Sequence, residues 1–304
     1  MDSRLSQALG FIRAHQDPQG GWGYEPGRAS LVEPTGLCAL ALHSGGDEAA
    51  AGRGLGFLKA CQKSSGSVGI GPQDTDGSWM AYAALLAFHD MGAAEEEGRL
   101  KGWVLGFEDA SSRFTKEEIS IVAARYRYDA SIPGWSWTPR TTAWVEPTAL
   151  FIVALVRAGV SAGEKRIRSG VDLILDRRVP SGGWNFGNPY SDSFELEASA
   201  MSTALALAGL GAAGVPESNP AVGAGLRFLD RALAGDLSTA SLIWALQALK
   251  SFPSGAGRVA GLRARLGRLQ TSAGSFRDNL FETALAYLVL SDAPILAPAP
   301  REGR

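Results

Sequence analysis

Two kinds of helix-like segment alternate along the chain. Four segments mix charged residues with one apolar stripe, a pattern that predicts amphipathic helices with one face in water. They read SRLSQALGFIRAHQ, EAAAGRGLGFLKACQ, EKRIRSGVDLILDRR and VAGLRARLGRLQ. Six other segments carry small and apolar residues on every side, which predicts helices buried all round. They read LCALAL, MAYAALLAF, ALFIVALV, AMSTALALAGL, ASLIWALQAL and ALAYLVL.

This alternation predicts an all-α fold. Loops rich in Gly and Pro separate the segments, and no β-rich segment competes, although residues 123–144 have room for a short hairpin. Six pairs of helices predict an (α/α)6 toroid, with an inner ring of buried helices and an outer ring of amphipathic ones. We expect one such barrel over residues 1–292. The Pro- and Ala-rich residues 293–304 read as a flexible tail.

A first repeat marks the end of the amphipathic segments. Each segment closes on Gln or Arg, and a large apolar side chain follows six positions later. The pairs are Gln16 with Trp22, Gln62 with Val68, Arg178 with Trp184, and Gln270 with Phe276. Glu108 and Phe114 read as a degraded fifth copy. The copies recur at about 46 residues or twice that, a period typical of two-helix units.

A second repeat opens the buried segments: an acid, one residue, then Ser or Thr. The copies are Glu33-Pro34-Thr35, Asp76-Gly77-Ser78, Glu146-Pro147-Thr148, Glu197-Ala198-Ser199 and Asp236-Leu237-Ser238, with Glu282-Thr283 as a shortened sixth. The helix dipole and the free N–H groups favour an acid at a helix start. Pro34 and Pro147 suit the first helical position, where no N–H is needed. A feature present six times cannot be catalytic six times.

Composition and charge exclude several classes of function. The 304 residues are 45% hydrophobic and 20% charged, with a formal charge of -2, so the chain builds a full core and carries no basic excess for nucleic acid. Two cysteines, Cys38 and Cys61, cannot form a disulfide framework or a four-cysteine zinc site, which favours a cytoplasmic protein. No apolar run is long enough to span a bilayer.

The Gln-x5-Trp spacing after an amphipathic helix resembles the QW motif of squalene–hopene cyclases and other class II terpene cyclases. The acidic openings resemble inner-helix starts in the same superfamily, which also contains the protein prenyltransferases. The resemblance covers roughly residues 3 to 291. It implies that the Gln amide bonds carbonyls at the end of its outer helix while the aromatic ring stacks onto the next unit.

Residues 73–78, QDTDGS, resemble the D-x-D-D motif of class II cyclases. In that family the middle Asp protonates an alkene or an epoxide, so the resemblance implies that Asp76 donates the proton and Asp74 orients it. Gly77 stands where the last Asp is expected, which weakens the match. Such a donor must stay neutral and be primed by hydrogen bonds. The alternative is that Asp76 is a cap or rim acid, like the other acids at helix starts.

The candidate substrate-binding residues lie at or near the starts of buried segments or within them. They are Trp79, Tyr82, Trp144, Trp244, Glu33 and Glu146. Aromatic faces lining a cavity stabilise a cation, and the alternative is that these rings simply fill the core. The dense segment Gly134–Pro139 reads either as a cap over the barrel or as a packed loop.

Zinc chemistry of the prenyltransferase kind requires an Asp-x-Cys pair. Gly36 stands two residues before Cys38, and Lys59 two before Cys61. Neither cysteine has the required Asp, and a lone buried Cys is usually core. We therefore expect no metal and no other cofactor.

Three classes of function remain from the sequence, and the motif resemblance points away from the third. The first is an isoprenoid-handling enzyme that cyclises a polyprenyl substrate after protonation. The second is a non-catalytic toroid that binds an apolar ligand or a protein partner, favoured by the missing Asp and by the single barrel. A glycosidase is a third class, because (α/α)6 barrels also host paired carboxylates. The expected partner is an isoprenoid or other apolar small molecule, not nucleic acid; peripheral membrane contact and the oligomeric state stay open.

Overall fold

A computed structural model describes residues 3–293. Over that range the chain forms thirteen α-helices and one two-stranded hairpin, so the all-α prediction is confirmed. The helices are α1 (Ser3–Ala14), α2 (Val32–Ser44), α3 (Glu48–Cys61), α4 (Ala81–Asp90), α5 (Ala94–Leu105), α6 (Lys116–Tyr126), α7 (Val145–Arg157), α8 (Lys165–Asp176), α9 (Ala200–Ala212), α10 (Pro220–Ala232), α11 (Thr239–Lys250), α12 (Ala256–Gly267) and α13 (Leu280–Leu290). The strands are β1 (Tyr190–Ser191) and β2 (Phe194–Glu195), paired antiparallel.

The described chain divides into two compact units. Unit 1 contains residues 3–106 and 260–293, and unit 2 contains residues 107–259. The tail predicted over 293–304 lies outside the described residues, apart from Ala293. The single barrel over residues 1–292 stays a prediction.

Unit 1 is built around α2. This helix packs between α13 and α4, and α3 packs along it. The helix α1 packs against α13, and α5 packs against α4. The prediction of helices buried all round is confirmed here, because every residue of α2 from Val32 to Leu42 is buried.

Unit 2 repeats this arrangement around α9. That helix packs between α7 and α11, while α8 packs on α7 and α9, and α10 packs on α9. The amphipathic helices bury a single stripe; in α8 the buried residues are Ile167, Gly170, Leu173 and Ile174. Their other faces carry charged residues and are exposed to solvent.

The hairpin prediction for residues 123–144 is wrong. Those residues contain the end of α6 and an irregular loop, and the hairpin lies at residues 190–195 instead. Asp192, at its turn, adopts a φ of 53°, a left-handed conformation that Asp tolerates better than most residues.

The repeated glutamines tie neighbouring amphipathic helices together. Gln16 Nε2 donates to the carbonyl oxygens of Gly20 at 2.8 Å and of Ala50 at 2.9 Å. Ala50 lies in the first turn of α3, the next amphipathic helix, not at the end of α1, the helix that precedes Gln16. Two further glutamines make the same pair of bonds: Gln62 to Gly66 and Glu96, and Gln270 to Gly274 and Arg4. Arg178 instead reaches the adjacent carbonyls of Val179 and Pro180.

The indole rings of Trp22 and Trp184 each bridge two amphipathic helices. Trp22 Nε1 donates to the Ile12 carbonyl on α1 at 2.8 Å. A methyl group in place of the Gly54 hydrogen on α3 would lie 2.8 Å from Trp22 Cζ3, so the ring fills the space that this glycine leaves. Trp184 repeats the arrangement, with a 2.6 Å bond to the Ile174 carbonyl and its ring against Gly225.

The fifth copy lies at Trp135, not at Phe114. The Trp135 amide donates to Thr148 Oγ1 at 2.9 Å, as the Trp22 amide does to Thr35 Oγ1. The Trp135 ring packs against Gly170. The spacing of six fails in this copy because a longer insertion, which includes α6, precedes the ring. Gly134, Trp135 and Ser136 are buried and Thr138 is exposed, so the first half of residues 134–139 is packed, and a cap over the barrel stays a prediction.

Candidate functional site

One backbone hydrogen bond fixes the equivalent positions at four helix starts. In each copy an amide donates to the carbonyl of the repeated apolar residue that precedes the helix. The bonds are Leu31 to Trp22, Ser78 to Val68, Trp144 to Trp135 and Ser199 to Trp184, at 3.0, 2.9, 3.1 and 2.9 Å. Leu31, Ser78, Trp144 and Ser199 are therefore the same position in four repeats.

This alignment separates the acids into two classes. Glu33 and Glu146 lie two residues after the shared position, inside the first turn of α2 and α7. Asp76 and Glu197 lie two residues before it, outside the helix, and both are exposed. The acid-x-Ser/Thr pattern is thus two structural features, not one. Pro34 correspondingly occupies the third helical position, still among the residues whose N–H groups have no partner in the helix.

Glu33 is the buried acid of unit 1, with only 3% of its surface exposed. Two phenols hold its carboxyl group. Tyr24, in the loop before α2, donates to Oε2. Tyr82, in the first turn of α4, donates to Oε1 at 2.8 Å. A buried carboxyl needs such partners because burial without hydrogen bonds costs several kcal/mol.

Burial decides the protonation of this carboxyl. Desolvation raises the pKa of Glu33 to about 7, although the hydrogen bonds from the two phenols lower it. Burial also raises the pKa of Tyr24 and of Tyr82 well above the ordinary value for a phenol, so both keep their protons. Near neutral pH, Glu33 therefore exchanges a proton while its neighbours remain hydrogen-bond donors.

Aromatic rings flank the carboxyl group. Trp79 stacks on Tyr82 with ring centroids 6.1 Å apart and an interplanar angle of 14°. Phe281 of α13 packs against Tyr24 at 5.7 Å. Tyr24 and Tyr82 thus contact the carboxyl group directly, and Phe281 and Trp79 extend this aromatic cluster through their contacts with the two tyrosine rings.

The two aspartates predicted from the D-x-D-D resemblance lie in the loop before α4. Asp74 Oδ2 accepts hydrogen bonds from the amides of Ile70 at 2.6 Å and Gly71 at 3.0 Å, so this carboxylate stabilises its own loop. Asp76 is exposed to solvent. Their catalytic roles stay predictions.

The remaining predicted residues lie in unit 2. Glu146 is half-buried and accepts a 2.7 Å hydrogen bond from Ser202 Oγ on α9. Trp144 packs against Phe186 with centroids 5.6 Å apart. Trp244 is buried within α11. The structure therefore brings Glu33, Tyr82 and Trp79 together in unit 1, and Trp144 with Glu146 at the start of α7 in unit 2.

Sequence reasoning missed Tyr24. Its equivalent in the Trp184 copy is Phe186, which has no hydroxyl, so the repeat itself predicts no polar role. The available signal was a Tyr two residues after Trp22, in the loop that leads to Glu33. Within residues 3–293, no group of three His, Cys, Asp or Glu side chains is placed to hold a metal ion. None of the described helices is long and apolar enough to cross a membrane.

Comparison with solved structures shows several chains of the same fold. A protein from Actinoplanes superposes with a TM-score of 0.65 at 16% identity, covering 95% of this chain and 98% of that one. The type II terpene cyclase MstE from Scytonema gives a TM-score of 0.63 at 16% identity, covering 96% and 97%. An α-amylase from Clostridium perfringens gives 0.63 at 10% identity, covering 95% and 98%.

The MstE structures include one with merosterolic acid A as product and one with geranylgeranyl dihydroxybenzoate as substrate. No protein-family model and no curated protein matches the sequence. At these identities the likeness shows the fold alone, a fold that the terpene cyclase MstE and the α-amylase both have.

Proposed function

We propose that this protein is an isoprenoid-handling enzyme that starts cyclisation of a polyprenyl substrate by protonation, with Glu33 as the proton donor. The observation that carries the proposal is the buried Glu33 carboxyl held between two phenols. A class II cyclase needs a carboxyl group that is neutral and primed by hydrogen bonds. Glu33 is held by two hydrogen bonds and, with a pKa of about 7, is protonated in about half of the molecules near neutral pH, whereas the Asp76 side chain is exposed.

The acid strength of Glu33 limits what it protonates. A carboxyl group with a pKa of about 7 is a weak acid. It transfers a proton to an epoxide oxygen more readily than to an isolated alkene, because the oxygen is the stronger base. An epoxide at the reacting end of the polyprenyl chain is therefore the favoured substrate, with the simple alkene as the comparison.

The rings around Glu33 supply the second requirement. A carbocation formed next to the carboxyl group is stabilised by π faces, and Trp79, Tyr82, Tyr24 and Phe281 supply them in unit 1. We keep Trp144, Trp244 and Glu146 as proposed substrate-binding residues. We also propose that the six buried and six amphipathic helices close into the (α/α)6 barrel predicted over residues 1–292; the coverage of 96% by the MstE superposition supports this.

The test compares two acids in one assay. The purified protein is incubated with squalene, with its terminal epoxide and with geranylgeranyl dihydroxybenzoate, and cyclic products are measured by mass spectrometry. Glu33→Gln keeps the size and polarity of the side chain but removes its proton, so we expect a loss of about 10²- to 10⁴-fold in rate. Asp76→Asn is the matched control in the same unit, and we expect it to retain activity.

The opposite result in these two variants would contradict Glu33 as the proton donor. If Asp76→Asn abolishes product and Glu33→Gln does not, the proton donor is the aspartate predicted from the D-x-D-D resemblance. If the wild-type protein forms no product from any of the three substrates yet binds them, the alternative stands: a non-catalytic toroid that binds an apolar ligand or a protein partner.

A glycosidase is a second candidate, because the α-amylase from Clostridium perfringens has the same fold. Hydrolysis of that kind requires two carboxyl groups facing one glycosidic bond. The partners that the structure gives Glu33 are phenols. Release of glucose from maltoheptaose, abolished in Glu33→Gln, would favour the glycosidase over the cyclase.

A further inference from the structure

The side chain of Glu33 is almost closed to solvent, with 3% of the residue's surface exposed. A carboxyl group that gives its proton to a substrate is left as a carboxylate, and it must take up another proton before the next turnover. So little of Glu33 is open to water that this proton has to come through a neighbouring group.

Two phenols contact the Glu33 carboxyl group, one on each oxygen. Tyr82 donates to Oε1 at 2.8 Å, and Tyr24 donates to Oε2. Tyr82 is itself buried, with 1% of its surface exposed, whereas Tyr24 is half-buried. Of the two hydrogen-bonded neighbours, Tyr24 is therefore the one that connects Glu33 with solvent.

Tyr24 lies in the loop before α2 and is anchored to α13. The Leu280 amide at the start of α13 donates to the Tyr24 carbonyl at 2.7 Å. Phe281 packs against the phenol ring, with the ring centroids 5.7 Å apart. A methyl group in place of the Gly23 hydrogen would lie 2.7 Å from the Arg28 carbonyl oxygen, so the loop folds back closely on itself. These contacts hold the phenol beside the carboxyl group and leave part of the residue exposed.

The hydroxyl of Tyr24 is specific to its own repeat. Tyr24 follows the repeated apolar residue, Trp22, by two positions. In the copies with Val68, Trp135 and Trp184, the same position holds Ile70, Trp137 and Phe186. Glu146, which occupies the position of Glu33 in α7, is half-buried. The phenol thus occurs in the copy whose acid is closed to solvent.

Proton transfer through Tyr24 balances with water as the source of the proton. The Tyr24 O–H bond breaks as its proton moves to the Glu33 carboxylate, and the phenol oxygen takes a proton from hydronium or a buffer acid. Burial raises the pKa of Tyr24 well above the ordinary value for a phenol, so no phenolate accumulates and the two transfers occur together. The new carboxyl O–H then turns about its C–O bond to face the substrate.

We propose that Tyr24 returns a proton from solvent to Glu33 after each cyclisation, an inference that rests on the function proposed for Glu33. Tyr24 is a positioning residue in this step, because its proton reaches the substrate only through Glu33. Tyr82 makes the same kind of bond but is closed to solvent, so it holds the carboxyl group and takes no part in the return of the proton.

Single-turnover and steady-state kinetics of Tyr24→Phe test this role. The protein is brought to pH 6, below the pKa of Glu33, and mixed with a limiting amount of squalene epoxide. We expect the first turnover to stay close to the wild-type rate, because it uses the proton that Glu33 already holds. With excess substrate we expect a burst of one product per protein and then a rate about 10²-fold below that of the wild type. An equal loss in both measurements, or no loss in either, would overturn the proposal.

Tyr82→Phe is the matched control, since it removes the other phenol from the same carboxyl group. Its first turnover and its steady-state rate should change by the same factor, without a burst. A burst of the same size in Tyr82→Phe would overturn the assignment to Tyr24.

Proton uptake by Glu33 is also measurable without a substrate. Stopped-flow infrared spectroscopy follows the C=O band of the protonated carboxyl group after a jump from pH 8 to pH 6, and Glu33→Gln identifies the band by lacking it. We expect slower uptake in Tyr24→Phe than in the wild-type protein and Tyr82→Phe. Equal uptake in all three would overturn the role of Tyr24.

The two readouts separate failure of this role from failure of the proposed function. Absence of product with the wild-type protein contradicts Glu33 as a proton donor, whatever the infrared measurement gives. Product formation by the wild type, together with equal proton uptake in Tyr24→Phe, contradicts only the role of Tyr24.

Discussion

The phenol of Tyr82 on α4 donates a 2.8 Å hydrogen bond to Oε1 of Glu33 on α2. The two residues are 49 positions apart in the chain and both are buried. The bond joins the first turns of two adjacent buried helices. It also supports a carboxyl group at a place where water cannot solvate it.

The raised pKa of Glu33 makes stability depend on pH. Between its ordinary value of 4.5 and about 7, the folded state binds the Glu33 proton more tightly than the unfolded chain. The free energy of unfolding therefore falls as pH rises through this window, by roughly 3 kcal/mol from this group. Urea denaturation of the wild-type protein and Glu33→Gln at pH 5 and pH 8 measures the effect.

Glu33→Gln cannot ionise, so its stability should lack this contribution. We expect the unfolding free energy of the wild-type protein to fall relative to that of Glu33→Gln when the pH rises from 5 to 8. The same difference at both pH values would mean that Glu33 titrates in the folded protein as it does in water.

Removing the Tyr82 hydroxyl should raise the pKa of Glu33 further, because the phenol lowers it by hydrogen bonding to the charged form. We expect Tyr82→Phe to lose about 1.5 to 3 kcal/mol of unfolding free energy at pH 8, where the carboxylate loses a partner, and less at pH 5. Denaturation at the two pH values measures this. Tyr126→Phe in unit 2 is the control for loss of a phenol away from a buried acid; a loss in Tyr82→Phe that is equal at both pH values would contradict the assignment.

The contact between Trp184 and Gly225 leaves no room for a side chain. In Gly225→Ala the new methyl group would lie 2.4 Å from Trp184 Cζ3, so we expect a destabilisation of about 1 to 3 kcal/mol from overpacking. Gly223→Ala on the same helix is the matched control, since its nearest neighbour would be Arg227 Nη1 at 3.4 Å. That variant should gain up to about 1 kcal/mol from helix propensity. Thermal unfolding of both variants checks the pair, and equal Tm values would refute the close contact.

Gln62 ties the loop after α3 to the first turn of α5 through the Gly66 and Glu96 carbonyls. Gln62→Ala removes both bonds, so we expect a loss of about 1 to 2 kcal/mol in unfolding free energy. Gln73→Ala, at an exposed loop position, should leave stability unchanged. Hydrogen exchange should show faster opening at the start of α5 in Gln62→Ala only; uniform exchange across the two variants would contradict the bracing role.

The two types of helix were predictable from the sequence because the spacing of apolar residues reflects which sides of a helix are buried. The run ALFIVALV has no polar face and lies in α7, which is buried along most of its length, while EKRIRSGVDLILDRR has one apolar stripe and forms the half-exposed α8. These signals are local, since each residue reports the environment on its own side of one helix.

Which of the two acids is buried could not be predicted from its neighbours in the sequence. Glu33 and Asp76 both open the same three-residue pattern, and only the hydrogen bonds of Leu31 and Ser78 reveal that they occupy different positions. Likewise, the sequence showed Gln62 followed by Val68 but not which helix the glutamine would bind.

What the sequence determined by itself is therefore the set of buried and amphipathic helices, because hydrophobic period and helix ends are properties of neighbouring residues. Only the tertiary structure decided that Glu33 loses its water and Asp76 keeps it. The desolvation and the phenols that set the protonation of Glu33 come from α4 and from the loop before α2, and no short stretch of sequence contains all three groups.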